Sequence, residues 1–212
     1  MAQIEQFNSY VDEYEKWYED YPEVYQSELE AIKEHFKRLP ENIRGIEVGL
    51  GTGRFAKPLG IKEGIEPAKE MARKATKRGI EVVKGIAENL PYGDIQFDFV
   101  LFVTICHLDS LEQSIKQAYR VLKPKGSLII GFLDKDQSIA REYKERKHRS
   151  IFFRNSRFYG IKHVKDLLEG EGFRELEFNQ TLFGDINEIN YIQPPKPGYG
   201  EGSFVVVSAI KK

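Results

Sequence analysis

The sequence predicts an α/β fold: a mostly parallel sheet with helices on both faces. Three observations carry this. A short apolar strand, Ile46-Glu47-Val48, runs straight into three glycines at alternate positions, Gly49, Gly51 and Gly53. A second apolar run, Gly64-Ile65-Glu66, ends in an acid thirteen residues after Gly53. That spacing fits strand, glycine turn, helix and returning parallel strand. Strand-like and helix-like segments then alternate through the middle of the chain, as a parallel sheet covered on both faces requires.

Residues 1–39 read as helical and lie outside the sheet. Leu29, Ile32 and Phe36 share a face, Ser27 is an N-cap candidate and Pro40 follows the end. Strands are expected at 44–48, 63–66, 80–83, 97–103 and 127–132, with helices between them at 54–59, 67–78 and 110–121. Residues 134–157 are polar and basic, with Arg141, Lys144, Arg146, Lys147, Arg149, Arg154 and Arg157. A helix is expected at 161–170, ended by Gly172. Strand-like runs follow at 176–182 and 203–210. The Gly-, Pro- and Asn-rich stretch 184–202 between them reads as a long loop.

A chain of 212 residues is long enough for one domain with a proper core. Charged residues make up 31% of it, but the net charge is only −1, which argues against a nucleic-acid partner. Cys106 is the single cysteine, which excludes an internal disulfide and fits a reducing cytoplasm. The N-terminus carries no secretory pattern, and no apolar run approaches the ~18–20 residues of a membrane span. No metal site is expected.

The glycine turn is the chemical signal. Without a Cβ, backbone there can lie against a ligand, and an acid at the tip of the next strand can accept from a ribose diol. Arg54 stands where a dinucleotide fingerprint would have its third glycine, and no Gly-Lys-Ser/Thr follows as in a phosphate loop. Glu47, just before the turn, would repel a pyrophosphate. It suits a ligand bearing an ammonium and a sulfonium, which is S-adenosylmethionine.

The motifs, in order, resemble those of class I S-adenosylmethionine-dependent methyltransferases of the small-molecule type, which includes the ubiquinone/menaquinone-biosynthesis enzymes. Residues 47–53 resemble the first motif, and 64–67 the ribose motif. Residues 85–91 resemble the adenine motif, 97–107 the fourth, and 120–130 the turn into the fifth strand. The resemblance implies a Rossmann-like methyltransferase fold with an antiparallel last strand. It also implies a layout in which 1–40 is a helical cap, 41–133 the cofactor half, and 134–212 the substrate-side insertion and final strands.

By the same resemblance, Glu47, Gly49, Gly51 and Gly53 form the cofactor loop and Glu66, followed by Pro67, takes the ribose. Met71 packs on the adenine, or merely fills core. Many relatives have an aspartate at the position of Ile86. Here the adenine would rely on Ile86 and Ala87 backbone groups, with Glu88 as a further candidate. Thr104 and Ile105 would border the methionyl end. His107 is a candidate general base or a structural histidine, and Cys106 reads as a buried thiol. Tyr14 and Trp17 resemble an aromatic segment that folds over the cofactor, or are simply helix packing. The basic run 141–157, interleaved with Glu142 and Glu145, reads as a solvated face.

The expected activity is methyl transfer from S-adenosylmethionine to a small-molecule acceptor. The alternatives are a catalytically silent S-adenosylmethionine-binding module, an RNA methyltransferase and a nicotinamide-dependent oxidoreductase.

Overall fold

The computed structural model describes residues 2–212; residue 1 and the side chains of Ala2, Gln3 and Arg149 lie outside what it describes. Three helices come first: α1 (Ala2–Ser9), α2 (Val11–Asp20) and α3 (Pro22–Phe36). Pro22 opens α3, where its missing N–H costs nothing. Ser27 is therefore not a cap. It is buried within α3, donates to the Glu23 carbonyl (2.6 Å) and accepts from Gln193 N (2.8 Å).

The sheet is built from β1 (Gly45–Val48), β2 (Glu63–Ile65), β3 (Glu81–Val83), β4 (Phe97–Val103), β5 (Leu122–Leu133), β6 (Phe173–Thr181), β7 (Lys196–Pro197) and β8 (Phe204–Lys211). Its order is β3-β2-β1-β4-β5-β8-β6-β7. The first five strands pair parallel, while β8 runs antiparallel to both β5 and β6. The helices α4 (Lys69–Lys77), α5 (Leu111–Val121), α6 (Ser138–Glu145) and α7 (Ile161–Glu171) complete the fold.

Both sheet faces are apolar because successive strand side chains alternate. Val100, Phe102, Leu128 and Ile130 pack with Ile115 and Ala118 of α5 and Val164 and Leu168 of α7. Phe99, Leu101 and Ile129 face the other way, against Leu29 and Ile32 of α3.

Two local expectations need correction, and one further segment gains a helix. Residues 54–59 form a run of turns rather than a helix. Pro58 has no N–H to offer the Arg54 carbonyl, and the Tyr25 hydroxyl donates to it instead (2.5 Å). The loop 184–202 contains a short 3-10 turn, Ile186–Glu188, and the edge strand β7 paired to β6. Within the basic run, Ser138–Glu145 is helical.

Strand register positions the site. Val48 pairs with Ile65 on one side and Phe102 on the other. The residues next in line after Val48, Ile65 and Phe102, namely Gly49, Glu66 and Val103, therefore emerge along one edge. This is where β1 has neighbours leading in opposite directions, the crevice in which open α/β sheets bind ligands.

Candidate active site

A cavity of about 240 Å³ opens at this crevice. Its lining includes Tyr14, Trp17, Glu47, Gly49, Gly51, Glu66, Pro67, Met71, Ile86, Ala87, Thr104, Ile105 and His107. Of the residues expected to bind the cofactor, Gly53 alone is not on it. All three glycines have positive φ, at 71°, 56° and 80°. A Cβ on Gly49 would meet nothing within 4 Å, and one on Gly51 would lie 3.0 Å from the Tyr14 hydroxyl. A Cβ on Gly53 would instead strike Ile80 at 2.4 Å. Gly53 thus serves close packing behind the turn, while Gly49 and Gly51 leave the wall bare.

Glu66 organises the turn. Its carboxylate accepts from Gly51 N and Ala68 N, each at 2.8 Å. Burial pushes its pKa up to about 7, against the pull of those two donors. Each oxygen retains a lone pair for a ligand hydroxyl.

Glu47 is only 2% exposed, and its Oε2 has no partner among the described residues. Burial holds its pKa well above the usual carboxylate range; the Ala56 N–H opposes this and the Glu66 charge adds to it. An orphaned buried acid at a strand end calls for a cation or donor from a ligand. No lysine or arginine is among the described lining residues, whereas Glu28, Glu47, Glu66, Glu88 and Asp109 are. This donor set fits a ligand that brings positive charge, as a sulfonium with an amino acid's ammonium does.

At the far end of β4, Thr104 adopts the left-handed region, with φ 62° and ψ 58°. Its N–H is held by the Gly131 carbonyl (2.9 Å). A non-glycine residue in that conformation is strained, and such strain clusters at functional sites. Ile105 and Cys106 follow, both buried. Burial pushes the Cys106 thiol up to about 12, which leaves it inert as a nucleophile at neutral pH. His107 is stacked on Phe153 (5.6 Å) and edge-on to Phe7 (5.1 Å). Its Nδ1 is unpartnered among the described residues. Burial alone lowers its pKa to about 4, so the ring is neutral at pH 7.

Of the residues expected at the adenine, Met71 is 1% exposed and Ala87 5%, whereas Ile86 is 42% exposed and presents its side chain largely to solvent. Glu88 accepts from Ser110 N (3.1 Å), which ties it to the start of α5.

The N-terminal helices close the cavity. Tyr14 and Tyr18 share a hydroxyl hydrogen bond (2.8 Å), and Tyr14 packs edge-on to Phe7 and Phe152. A polar clamp holds α2 in place. The Glu15 carboxylate accepts from Arg54 (2.6 Å), Arg78 (2.5 Å) and the Thr52 hydroxyl. Burial works to raise the Glu15 pKa, but these contacts outweigh it and hold it down to about 2.

Sequence reasoning missed this clamp and missed Glu28. The signal for Glu28 was present: it is a lone acid on the buried stripe of α3, four residues from both Val24 and Ile32.

The molecule is similar to known proteins over its whole length. Residues 46–130 match a methyltransferase domain family. An uncharacterized protein of Methanocaldococcus jannaschii is 42% identical, covering 97% of this chain and 98% of that protein. A 2-methoxy-6-polyprenyl-1,4-benzoquinol methylase of Xenopus laevis is 40% identical over 51% of this chain and 41% of its own length. The crystal structure of a SAM-dependent methyltransferase of Thermotoga maritima, described as a possible histamine N-methyltransferase, is 47% identical. It covers 99% of this chain and 100% of its own, with a TM-score of 0.93. With the glycine turn, the strand-end acid and the crevice all in register, and with that likeness running end to end, the chain belongs to the class I S-adenosylmethionine-dependent methyltransferases.

Proposed function

We propose that this enzyme methylates a small molecule held in the cavity beneath α1 and α2, in the cytoplasm. One observation carries the reading. The cavity extends past the glycine turn into a lobe walled by Trp17, Tyr18, Tyr143, Phe153 and Ile186, roofed by the N-terminal helices. Such a chamber suits a compact acceptor. The acidic lining counts against a polyanionic one such as RNA. The histamine named for the Thermotoga relative is of a suitable size.

In this reading Glu47 takes the cofactor's ammonium, and Glu66, pinned by Gly51 and Ala68, takes the ribose hydroxyls. Met71, Ile86 and Ala87 border the adenine, while Thr104 and Ile105 border the methionyl end. Bound there, S-adenosylmethionine supplies a methyl group activated by a sulfonium. Gly49 and Gly51 let backbone approach, and Tyr14 and Trp17 exclude water from above. The residues contribute chiefly alignment of the acceptor, for which well-oriented systems gain about 7–11 kcal/mol. Burial lowers the His107 pKa to about 4, which makes it a weak base, so this reading assigns it no proton abstraction.

The test is transfer of a tritiated methyl group from S-adenosylmethionine to pooled small metabolites and, separately, to RNA. Label in the small-molecule pool supports the reading. Label in RNA alone, or in neither while S-adenosylhomocysteine still binds, refutes it.

A further inference from the structure

Glu28 stands apart from every role assigned so far. It lies on α3, lines the cavity, and is 9% exposed. Among the described residues its carboxylate has no hydrogen bond and no ion pair. The groups that feel its charge are the tyrosines around it: Tyr18 from α2, Tyr25 one turn back on α3, and Tyr143 from α6. Burial alone accounts for its raised pKa, about 8, whereas Glu47 responds to Glu66. Tyr18 and Tyr25 feel Glu47 as well, so the two acids share an aromatic neighbourhood.

A buried acid with no partner is costly to keep, and an apolar side chain in its place would cost less. Aromatic walls around one carboxylate form a recognisable receptor: the faces attract a cation and the acid neutralises it. No lining cation competes for the acid among the described residues.

We propose that Glu28 determines acceptor specificity: its carboxylate is the counter-ion for a basic nitrogen, and the acceptor is a small organic amine whose body lies among Trp17, Tyr18 and Tyr143. This rests on the small-molecule reading above and names the substrate class. Neutral and anionic molecules of the same shape leave the acid unpaired or repel it, and are rejected.

The experiment uses the full chain saturated with S-adenosylhomocysteine. Phenethylamine, tyramine and histamine are titrated by calorimetry beside the uncharged 4-ethylphenol and the anionic 4-hydroxyphenylacetate. The same compounds are then offered as acceptors with labelled S-adenosylmethionine. At least one amine is expected to bind tenfold or more tightly than both counterparts. Glu28→Gln is expected to weaken that amine at least thirtyfold, chiefly through KM in any turnover. Its S-adenosylhomocysteine affinity stays within twofold, and its Tm is equal or higher. Glu28→Asp retains the order of preference. Equal binding of all five compounds, no binding of any amine, or an unchanged amine affinity in Glu28→Gln overturns the proposal. A loss of S-adenosylhomocysteine affinity in Glu28→Gln also overturns it, because Glu28 would then serve the cofactor. Failure of wild-type protein to bind S-adenosylhomocysteine at all would instead remove the cofactor-site reading on which the proposal stands.

Discussion

Replacing Glu66 tests the cofactor site most sharply, because the structure assigns that carboxylate two measurable consequences. Its oxygens hold two backbone donors at 2.8 Å. Glu66→Ala would orphan both, at about 1–3 kcal/mol each, so an intact fold is not expected from that variant. Glu66→Gln keeps one acceptor and is the better probe. The rise in pKa from 4.5 to about 7 through burial corresponds to about 3 kcal/mol, at about 1.4 kcal/mol per pH unit. The sign follows from proton counting. Between pH 4.5 and 7 the folded chain keeps a proton that the unfolded chain has released. This residue's contribution is therefore fully present below pH 4.5, falls as pH rises, and levels off above 7. Urea unfolding of wild type and Glu66→Gln from pH 4 to 8 should differ in slope across that window, with the wild type falling more steeply. At pH 8, calorimetry with S-adenosylhomocysteine should find Glu66→Gln weaker by about ten- to a hundredfold, from a charge-assisted diol contact of roughly 1.5–3 kcal/mol. Parallel stability curves together with affinity unchanged within twofold would refute the reasoning.

Three further outcomes follow from the same geometry. Gly51→Val places a branched side chain at φ 56° and against the Tyr14 hydroxyl, at a cost of roughly 1–2 kcal/mol, and should abolish S-adenosylhomocysteine binding in a folded protein; normal binding would make the turn purely structural. Glu15→Ala should lower stability by about 1–2 kcal/mol at pH 7, after allowance for solvent screening. That difference should vanish as pH falls from 4.5 towards 2, because the depressed carboxyl of the wild type protonates there. In the same variant the emission of Trp17, the chain's one tryptophan, should shift towards that of an exposed indole; an unchanged spectrum would mean the clamp does not hold α2. His107→Leu should lower kcat less than about tenfold and leave the pH profile between 6 and 8 unaltered, whereas a hundredfold loss with a displaced acid limb would restore His107 as the base.

The sheet was legible because its strands are buried on both faces and read as apolar runs, and because the glycine turn and Glu66 sit at fixed distances from strand ends. Parallel register then delivers them to one edge without further information. Where the reading failed, a single group had changed the local balance. Pro58 removes the donor a helix at 54–59 would need. Ser27 looks like a cap but lies inside α3, because Pro22 starts the helix a turn and more earlier. In β5, pairing already begins at Leu122 opposite Phe97, before the Lys-Pro-Lys-Gly segment that reads as a turn, and resumes after an irregularity at Ser127 opposite Phe99.

The candidate site divides along the same line. Its cofactor half is local in sequence, while the clamp joins Glu15 to partners 39 and 63 residues away. No spacing rule links such positions, and only the docking of α2 on the glycine turn brings them together. Glu28 is the intermediate case: its helical period was visible, but its meaning depends on α6 and on the 182–186 loop closing the lobe.

Three acids of the cavity, Glu28, Glu47 and Glu66, shift in the opposite direction from the clamp acid Glu15. Glu15 is also largely buried, yet its pKa falls because two arginines and a threonine answer it. Glu28, Glu47 and Glu66 all rise, because the protein supplies no cation to any of them. Each therefore costs stability at neutral pH, and each would be relieved by a ligand that brings charge or donors. Linkage makes this measurable: a ligand at a hundred times its Kd adds about 2.7 kcal/mol to stability. If the acids act as argued, that gain should grow as pH rises from 6 to 8 and more carboxylates become charged. S-adenosylhomocysteine should draw on Glu47 and Glu66, and an amine should draw on Glu28. A thermal-shift series across that pH range, with each ligand alone and then together, should give additive gains in wild type. Glu28→Gln should lose the amine's part only. Loss of both parts in that variant would mean that the three acids form one site rather than two.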